Sequence, residues 1–164
     1  MITQFYKDLT ANRYAEYLVC TELEKLTKDY TFTHVGEQPQ YYHLGDIIAE
    51  AADGTQYFLE VKNDSRIADT HNILCEHQVY YYGDKNNPGY YVDGNMMNEG
   101  TAAYCIHSAK ERKIYILNFN ALKEAYPKYG RRKDICHAEQ MSITYLLPLS
   151  KAKELGALIA IVEY

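Results

Sequence analysis

Apolar positions between residues 12 and 28 recur at helical spacing. Ala15, Leu18, Val19, Leu23 and Leu26 fall on one face, which predicts a first long helix. Glu16 lies seven residues before Leu23, about 20° from it around the axis, and so borders the buried face. The period then shortens. Residues 30–35 alternate and are rich in β-formers, residues 36–40 punctuate them, and further strands are predicted at 44–51 and 56–63. Asp53-Gly54 between those two strands is a hairpin signal.

Residues 72–82 read as a second helix. Residues 84–100, rich in Gly, Asn and Asp, read as a long loop with a short extended piece at 90–92. A second strand pair follows at 102–108 and 113–118, turning at Lys110-Glu111-Arg112. A short helix at 120–126 should be stopped by Pro127. A strand at 141–147, a short helix capped by Ser150 and ended at Gly156, and a closing strand at 159–164 complete the pattern. The order helix, strand, hairpin, helix, strand indicates an α/β domain over residues 1–164, a mixed β-sheet flanked by helices.

Composition narrows the class. With 47% hydrophobic and 24% charged residues over 164 positions, the chain suits one soluble globular domain. No basic-then-apolar leader is visible, and the apolar run at 157–162 is far too short to cross a bilayer. Cys20, Cys75, Cys105 and Cys136 are widely spaced without a CxxC pair, so free thiols in a reducing cytoplasm are the simplest expectation. Cys75 with His77, Cys105 with His107 and Cys136 with His137 lack the spacing of a zinc finger.

Charge and aromatic content bear on partners. A net charge of −5 repels a polyanion, so nucleic-acid binding would need a local basic surface. Lys128, Arg131, Arg132 and Lys133 are the candidate, with Lys110, Arg112 and Lys113 as a second cluster, although such runs are most often solvated loops. The 18 tyrosines can stack on unpaired bases, but in a chain without tryptophan their simpler role is to fill core and interfaces.

The clearest chemistry is Glu60-Val61-Lys62, with Asp46 fourteen residues upstream. On adjacent strands, two carboxylates and an amine can hold a hard divalent cation and activate a water beside it. Register decides whether they meet. A strict two-residue turn at Asp53-Gly54 would set Asp46 opposite Val61, on the wrong face. A three-residue turn with a G1 bulge at the glycine, or a bend near Gly45, would shift the pairing by one and bring Asp46 to Glu60 and Lys62. Asp46 and Glu60 then supply oxygens to Mg²⁺ or Mn²⁺, and Lys62 orients or deprotonates the attacking water.

Asp46 followed by Glu60-Val61-Lys62, after a helix carrying Glu16, resembles the PD-(D/E)XK nuclease superfamily. The resemblance implies a restriction-endonuclease-like α/β fold with an αβββαβ core. It implies Asp46 and Glu60 as metal ligands, Lys62 as catalytic lysine, a metal contact from the Val61 carbonyl and a contribution from Glu16. Gly45 stands where the eponymous motif has proline. The longer stretch from Glu60-Val61-Lys62-Asn63-Asp64-Ser65-Arg66 through Thr70-His71-Asn72 to Glu76 is similar to a phage and prophage subgroup with EVK-x-D-x-R and TGN-x-x-x-E. His71 replaces that subgroup's glycine. Gly100-Thr101-Ala102-Ala103-Tyr104 is similar to its T-x-AD-Y segment, with Ala103 in place of aspartate.

Two pairs on residues 72–82 compete for the site. Asn72 and Glu76 follow the subgroup pattern, whereas Gln78 and Tyr82 resemble the QxxxY motif of RecB-like nucleases. On a helix, Glu76 and Gln78 would lie about 200° apart, so both pairs could not face one site. The expectation is a Mg²⁺- or Mn²⁺-dependent deoxyribonuclease acting on DNA, away from membranes. A homodimer would supply two symmetric sites for two strands. The competing expectation is a silent nuclease-like module that binds DNA or protein, or a subunit that depends on a partner.

Overall fold

Burial of Ala15, Val19 and Leu23 turns the helical spacing of the N-terminal segment into the packing face of α1 (Gln4–Leu26). The computed structural model describes the main chain from Gln4 to Tyr164 and the side chains from Leu9 onward. After α1 come β1 (Tyr30–His34), β2 (Ile47–Ala51) and β3 (Gln56–Asn63), then the one-turn α2 (Ile67–Thr70), β4 (Asn72–Tyr81) and β5 (Tyr90–Asp93). The chain continues through β6 (Thr101–Ser108), β7 (Lys113–Asn118), α3 (Phe119–Tyr129), β8 (Arg131–Cys136), β9 (Gln140–Pro148), α4 (Leu149–Glu154) and β10 (Leu158–Glu163). Short 3-10 turns lie at Pro39–Tyr41 and Asn95–Met97.

The expected mixed sheet flanked by helices is present. Its order is β1-β2-β3-β6-β7-β10, with β3 and β6 parallel and the other neighbours antiparallel. On one face, α1 buries Val19 and Leu23 against Phe32, Ile47, Val61 and Cys105. On the other, Tyr104, Ile106 and Leu117 pack with Phe119, Leu122 and Tyr126 of α3, and with Ile73, Cys75 and Leu147. Those last three belong to a second sheet, β5-β4-β9-β8, wholly antiparallel, which the hydrophobic pattern does not disclose.

The predicted helix at 72–82 is instead β4. Its backbone is claimed on both sides, by β9 and β5, and Ile73, Val79, Tyr80 and Tyr81 favour a pleated surface. Residues four apart share a face in a strand as they do in a helix, so the Asn72/Glu76 and Gln78/Tyr82 spacings could not tell the two apart. Glu76 is level with Thr144 and Gln78 with Ile143, leaving His77 as a bulge. Thr144 and Ile143 point to opposite faces, so Glu76 and Gln78 do too. The two pairs therefore still exclude one another, for a different reason.

Three smaller corrections follow. Residues 131–136, expected as part of a solvated loop, form the edge strand β8, with its arginines and lysine exposed. Pro127 lies inside α3 rather than stopping it, and the helix ends where the Gly130 N–H meets the Tyr126 carbonyl at 2.8 Å. No side chain caps α4, where Ser150 was expected to do so. His71, which replaces the subgroup's glycine, adopts φ 50° at the end of α2, a left-handed conformation of the kind glycine supplies without cost. All four cysteines are free, Cys136 alone being exposed. No helix among the described residues is long and apolar enough to cross a membrane.

Candidate active site

The β2–β3 turn decides the register. Gly54 has φ 84°, its N–H donates to the Ala51 carbonyl at 2.9 Å, and the Ala51 N–H donates to the Thr55 carbonyl at 2.9 Å. Three residues, Ala52 to Gly54, thus make the turn, with the glycine left-handed as in a G1 bulge. Ile47 pairs with Leu59 and Glu50 with Gln56, one step away from a two-residue turn. This is the shift that brings Asp46 level with Glu60.

At Asp46 the chain leaves the regular ladder. Gly45 has φ 152°, and a Cβ there would lie 2.6 Å from the Leu59 carbonyl oxygen. Any side chain at this point would push the strands apart, which is a physical reason for glycine before Asp46. Asp46 is then held from three sides. Its N–H donates to the Leu59 carbonyl at 2.8 Å, its carbonyl accepts from the Val35 N–H at 2.8 Å, and its Oδ2 accepts from the Val61 N–H at 2.8 Å.

Four predicted residues converge here. Glu60 and Lys62 sit two apart on β3, half-buried, so both side chains leave the same face. Glu16 reaches in from α1. Its Oε2 bonds His34 Nε2 at 2.6 Å, and the His34 ring lies 4.2 Å from that of Tyr17. A Cβ on Gly36 would stand 2.6 Å from Glu16 Oε2, 3.1 Å from Asp46 Oδ1 and 3.2 Å from His34 Nε2. The absent side chain of Gly36 therefore leaves the space in which these three groups approach one another.

Sequence reasoning missed three residues. His34 ends a strand and Gly36 was read as punctuation, and only the packing of α1 on β1 gives them a role. Asn98, in the segment expected as loop, donates from Nδ2 to Glu60 Oε2 at 3.3 Å, and its carbonyl accepts from Lys123 Nζ of α3 at 3.2 Å. Glu76 is half-buried on β4, near enough to Glu60 to raise its pKa. Asn72 Nδ2 donates to the Thr70 carbonyl at 2.7 Å.

Electrostatics set this cluster apart. Burial pushes the Asp46 carboxyl up to about 6; the Val61 N–H pulls against this, Glu16 adds to it, and His34 and Lys62 oppose it. Glu60 is raised well above its ordinary range, by burial first and then by Asp46, Glu16 and Glu76, with Lys62 opposing. Lys62 makes no hydrogen bond or ion pair among the described residues. Beneath the site, burial drives the Cys105 thiol up to about 12, so it is not a thiolate at neutral pH.

This donor set fits a hard dication. Asp46 Oδ1 and Glu60 Oε1 are without hydrogen-bond partners among the described residues, and burial first, with neighbouring negative charge adding to it, raises both carboxyls, a penalty that a divalent charge would relieve. Among the described residues no three His, Cys, Asp or Glu side chains are placed to hold a metal by themselves. Two carboxylates with water and a substrate oxygen match the habits of Mg²⁺, which keeps several waters, better than those of zinc. No protein family, curated protein or solved structure matches this chain.

Proposed function

We infer that the protein is a metal-dependent phosphodiester hydrolase, a deoxyribonuclease of the PD-(D/E)XK kind. The observation that carries the reading is the convergence of Asp46, Glu60 and Lys62 where β2 bends away from β3, with Glu16 arriving from α1. The element order lends support. A helix, three strands and a crossover to a strand parallel to β3 are what an αβββαβ core calls for, while α2 and the β4–β5 hairpin stand where such a core has a long second helix.

Asp46 Oδ1 and Glu60 Oε1 would hold Mg²⁺ or Mn²⁺, with the Val61 main chain kept close through its N–H bond to Asp46. The metal would supply a bound water of lowered pKa and offset charge on the phosphate. Lys62, which makes no hydrogen bond or ion pair among the described residues, would orient the attacking water or, as the neutral amine, take its proton, and as the ammonium would offset developing charge. Glu16, clamped by His34, adds negative charge beside Asp46 and strengthens its hold on a cation. Asn98 fixes the rotamer of Glu60.

The test is cleavage of plasmid, linear and single-stranded DNA with Mg²⁺, with Mn²⁺ and with EDTA. Cutting in either metal and none in EDTA is expected. Lys62→Ala should reduce the rate about a hundredfold or more with unchanged far-UV circular dichroism. Equal cutting by wild type and Lys62→Ala would overturn the mechanism.

A further inference from the structure

Several tyrosines do not fill a core. Tyr91 is 59% exposed and Tyr82 is 43% exposed at the outer end of the β4–β5 hairpin. Tyr80 and Tyr91 face each other across the two strands with ring centroids 4.7 Å apart, and Tyr82 stands edge-on to Tyr80 at 5.9 Å. Tyr81 and Tyr90 make a separate stacked pair at 5.2 Å. Alternation along the strands sets that pair on the opposite face. An aromatic patch left in water forfeits burial energy and marks a contact surface.

The patch lies on the strand that runs on to a cleft bordering the candidate active site through Asn98. Tyr91 and Asp93 are two apart on β5 and share a face. Through the rows Tyr80–Met141 and Cys75–Tyr145–Arg132, Arg132 lies on that same face of the sheet, its Nε donating to Asp134 Oδ1 at 2.9 Å. At its Asp93 end the strand opens into a cleft lined by Tyr42, His43, Asp93, Met97, Asn98 and Glu99. Tyr42 is 63% exposed there, and Asn98 is the residue bonded to Glu60. Patch and cleft thus follow one another along β5 and its continuation, and Asn98 of the cleft bonds Glu60 on β3.

Charge selects the occupant. Asp93 and Glu99 make the cleft rim acidic, which repels the phosphates that a duplex presents outward while its base faces stay hidden. An unpaired strand can turn its bases inward. Their faces stack on tyrosine, and their amino groups donate to carboxylates.

We propose that Tyr82, Tyr91 and the cleft beyond them are a docking track for an unpaired DNA strand, leading it to Asp46 and Glu60. What happens at the end of the track rests on the phosphodiesterase reading, but binding along it needs no metal.

Fluorescence anisotropy in EDTA tests this, using a labelled mixed-sequence single strand of roughly 20 nucleotides and the corresponding duplex. The single strand should bind at least about tenfold more tightly than the duplex, and Tyr82→Ala with Tyr91→Ala should weaken it about tenfold or more. Tyr81→Ala with Tyr90→Ala, on the opposite face, should leave that affinity unchanged. Thermal unfolding checks each variant, and Tyr91→Leu against Tyr91→Trp separates packing from stacking, since tryptophan should retain binding and leucine should lose it. Equal affinity for both DNAs, no binding at all, equal losses in the two double variants, or full binding by Tyr91→Leu would overturn the proposal. Metal-dependent cutting without any single-strand preference would sink the track and leave the nuclease reading standing. Tyrosine-dependent single-strand binding with no cutting in either metal would do the reverse.

Discussion

Two polar clusters sit astride the same pair of strands, and they are built on opposite terms. Asn63 and His107 are neighbours across β3 and β6, only one residue along from Lys62. His107 is 2% exposed, its Nδ1 donates to Asn63 Oδ1 at 3.0 Å, and its Nε2 accepts from the Tyr164 hydroxyl. Every polar atom of the ring has a partner suited to the neutral tautomer, and burial lowers its pKa accordingly. On the other face, Asp46 and Glu60 are half-buried beside two further glutamates, with His34 and Lys62 as the opposing charges and with Lys62 making no hydrogen bond or ion pair among the described residues. A matched cluster contributes stability; an unmatched one costs stability and is kept where charge has work to do.

The largest expected effect tests the matched side. His107→Leu leaves the Asn63 amide and the Tyr164 hydroxyl without partners, and should cost about 3 kcal/mol. Thermal unfolding would read this as a fall of roughly 6–12 °C, while cleavage per folded molecule stays at the wild-type level. Loss of cleavage with no loss of stability would show that the clusters had been assigned the wrong way round.

The unmatched side should respond with the opposite sign. In EDTA, Asp46→Asn keeps an oxygen for the Val61 N–H and removes the buried charge, and should stabilise the protein at neutral pH by on the order of 2 kcal/mol. The pH dependence follows from the direction of each shift. With its folded pKa at about 6, above the ordinary 3.8, Asp46 binds more protons folded than unfolded, so its contribution to stability falls as pH rises through that window. His107, lowered from 6.5, contributes stability above that value, which is lost as pH falls through its folded pKa. The gain from Asp46→Asn should therefore shrink as pH is lowered through about 6 toward 3.8, as denaturant titration across that range would show.

Gly36→Ala sharpens the boundary of the site. Its Cβ would stand 2.6 Å from Glu16 Oε2, so Glu16 must move away from Asp46. Terbium luminescence sensitised by nearby tyrosine should report metal affinity weakened about tenfold, or 1.4 kcal/mol. Unchanged affinity would exclude Glu16 from the site. The smallest effect lies outside both clusters: His71→Gly should relieve the φ 50° conformation and stabilise by about 1 kcal/mol, seen as a rise of roughly 2–4 °C.

Legibility followed the range of the interactions. The α1 face, the strands bearing Asp46 and Glu60, and the β6–β7 pair follow from patterns closed within a few residues, and the structure places all of them near their expected bounds. The turn at Asp53-Gly54 was legible as a turn, and its two possible registers could be written down in advance. The segment expected as a helix at 72–82 is a strand, and the spacing of four in its two candidate pairs fits a strand as well as a helix. Its partner β9 lies some 70 residues further along the chain, beyond the reach of any local pattern. The tyrosine content points first to core and interfaces for a related reason, since residue type alone does not say which rings are buried.

By itself, the sequence determined the local periods, the placement of a carboxylate before a Glu-x-Lys strand, and the net charge any polyanionic partner would meet. Only the tertiary structure decided the one-step register that brings Asp46 level with Glu60, the approach of His34, Gly36 and Asn98, and the second sheet that carries Glu76 and the tyrosines. The division has a physical cause. Periodicity and turn chemistry arise from neighbouring residues, whereas register between distant strands, and the desolvation that raises Asp46 and Glu60, arise only when separate segments exclude water together.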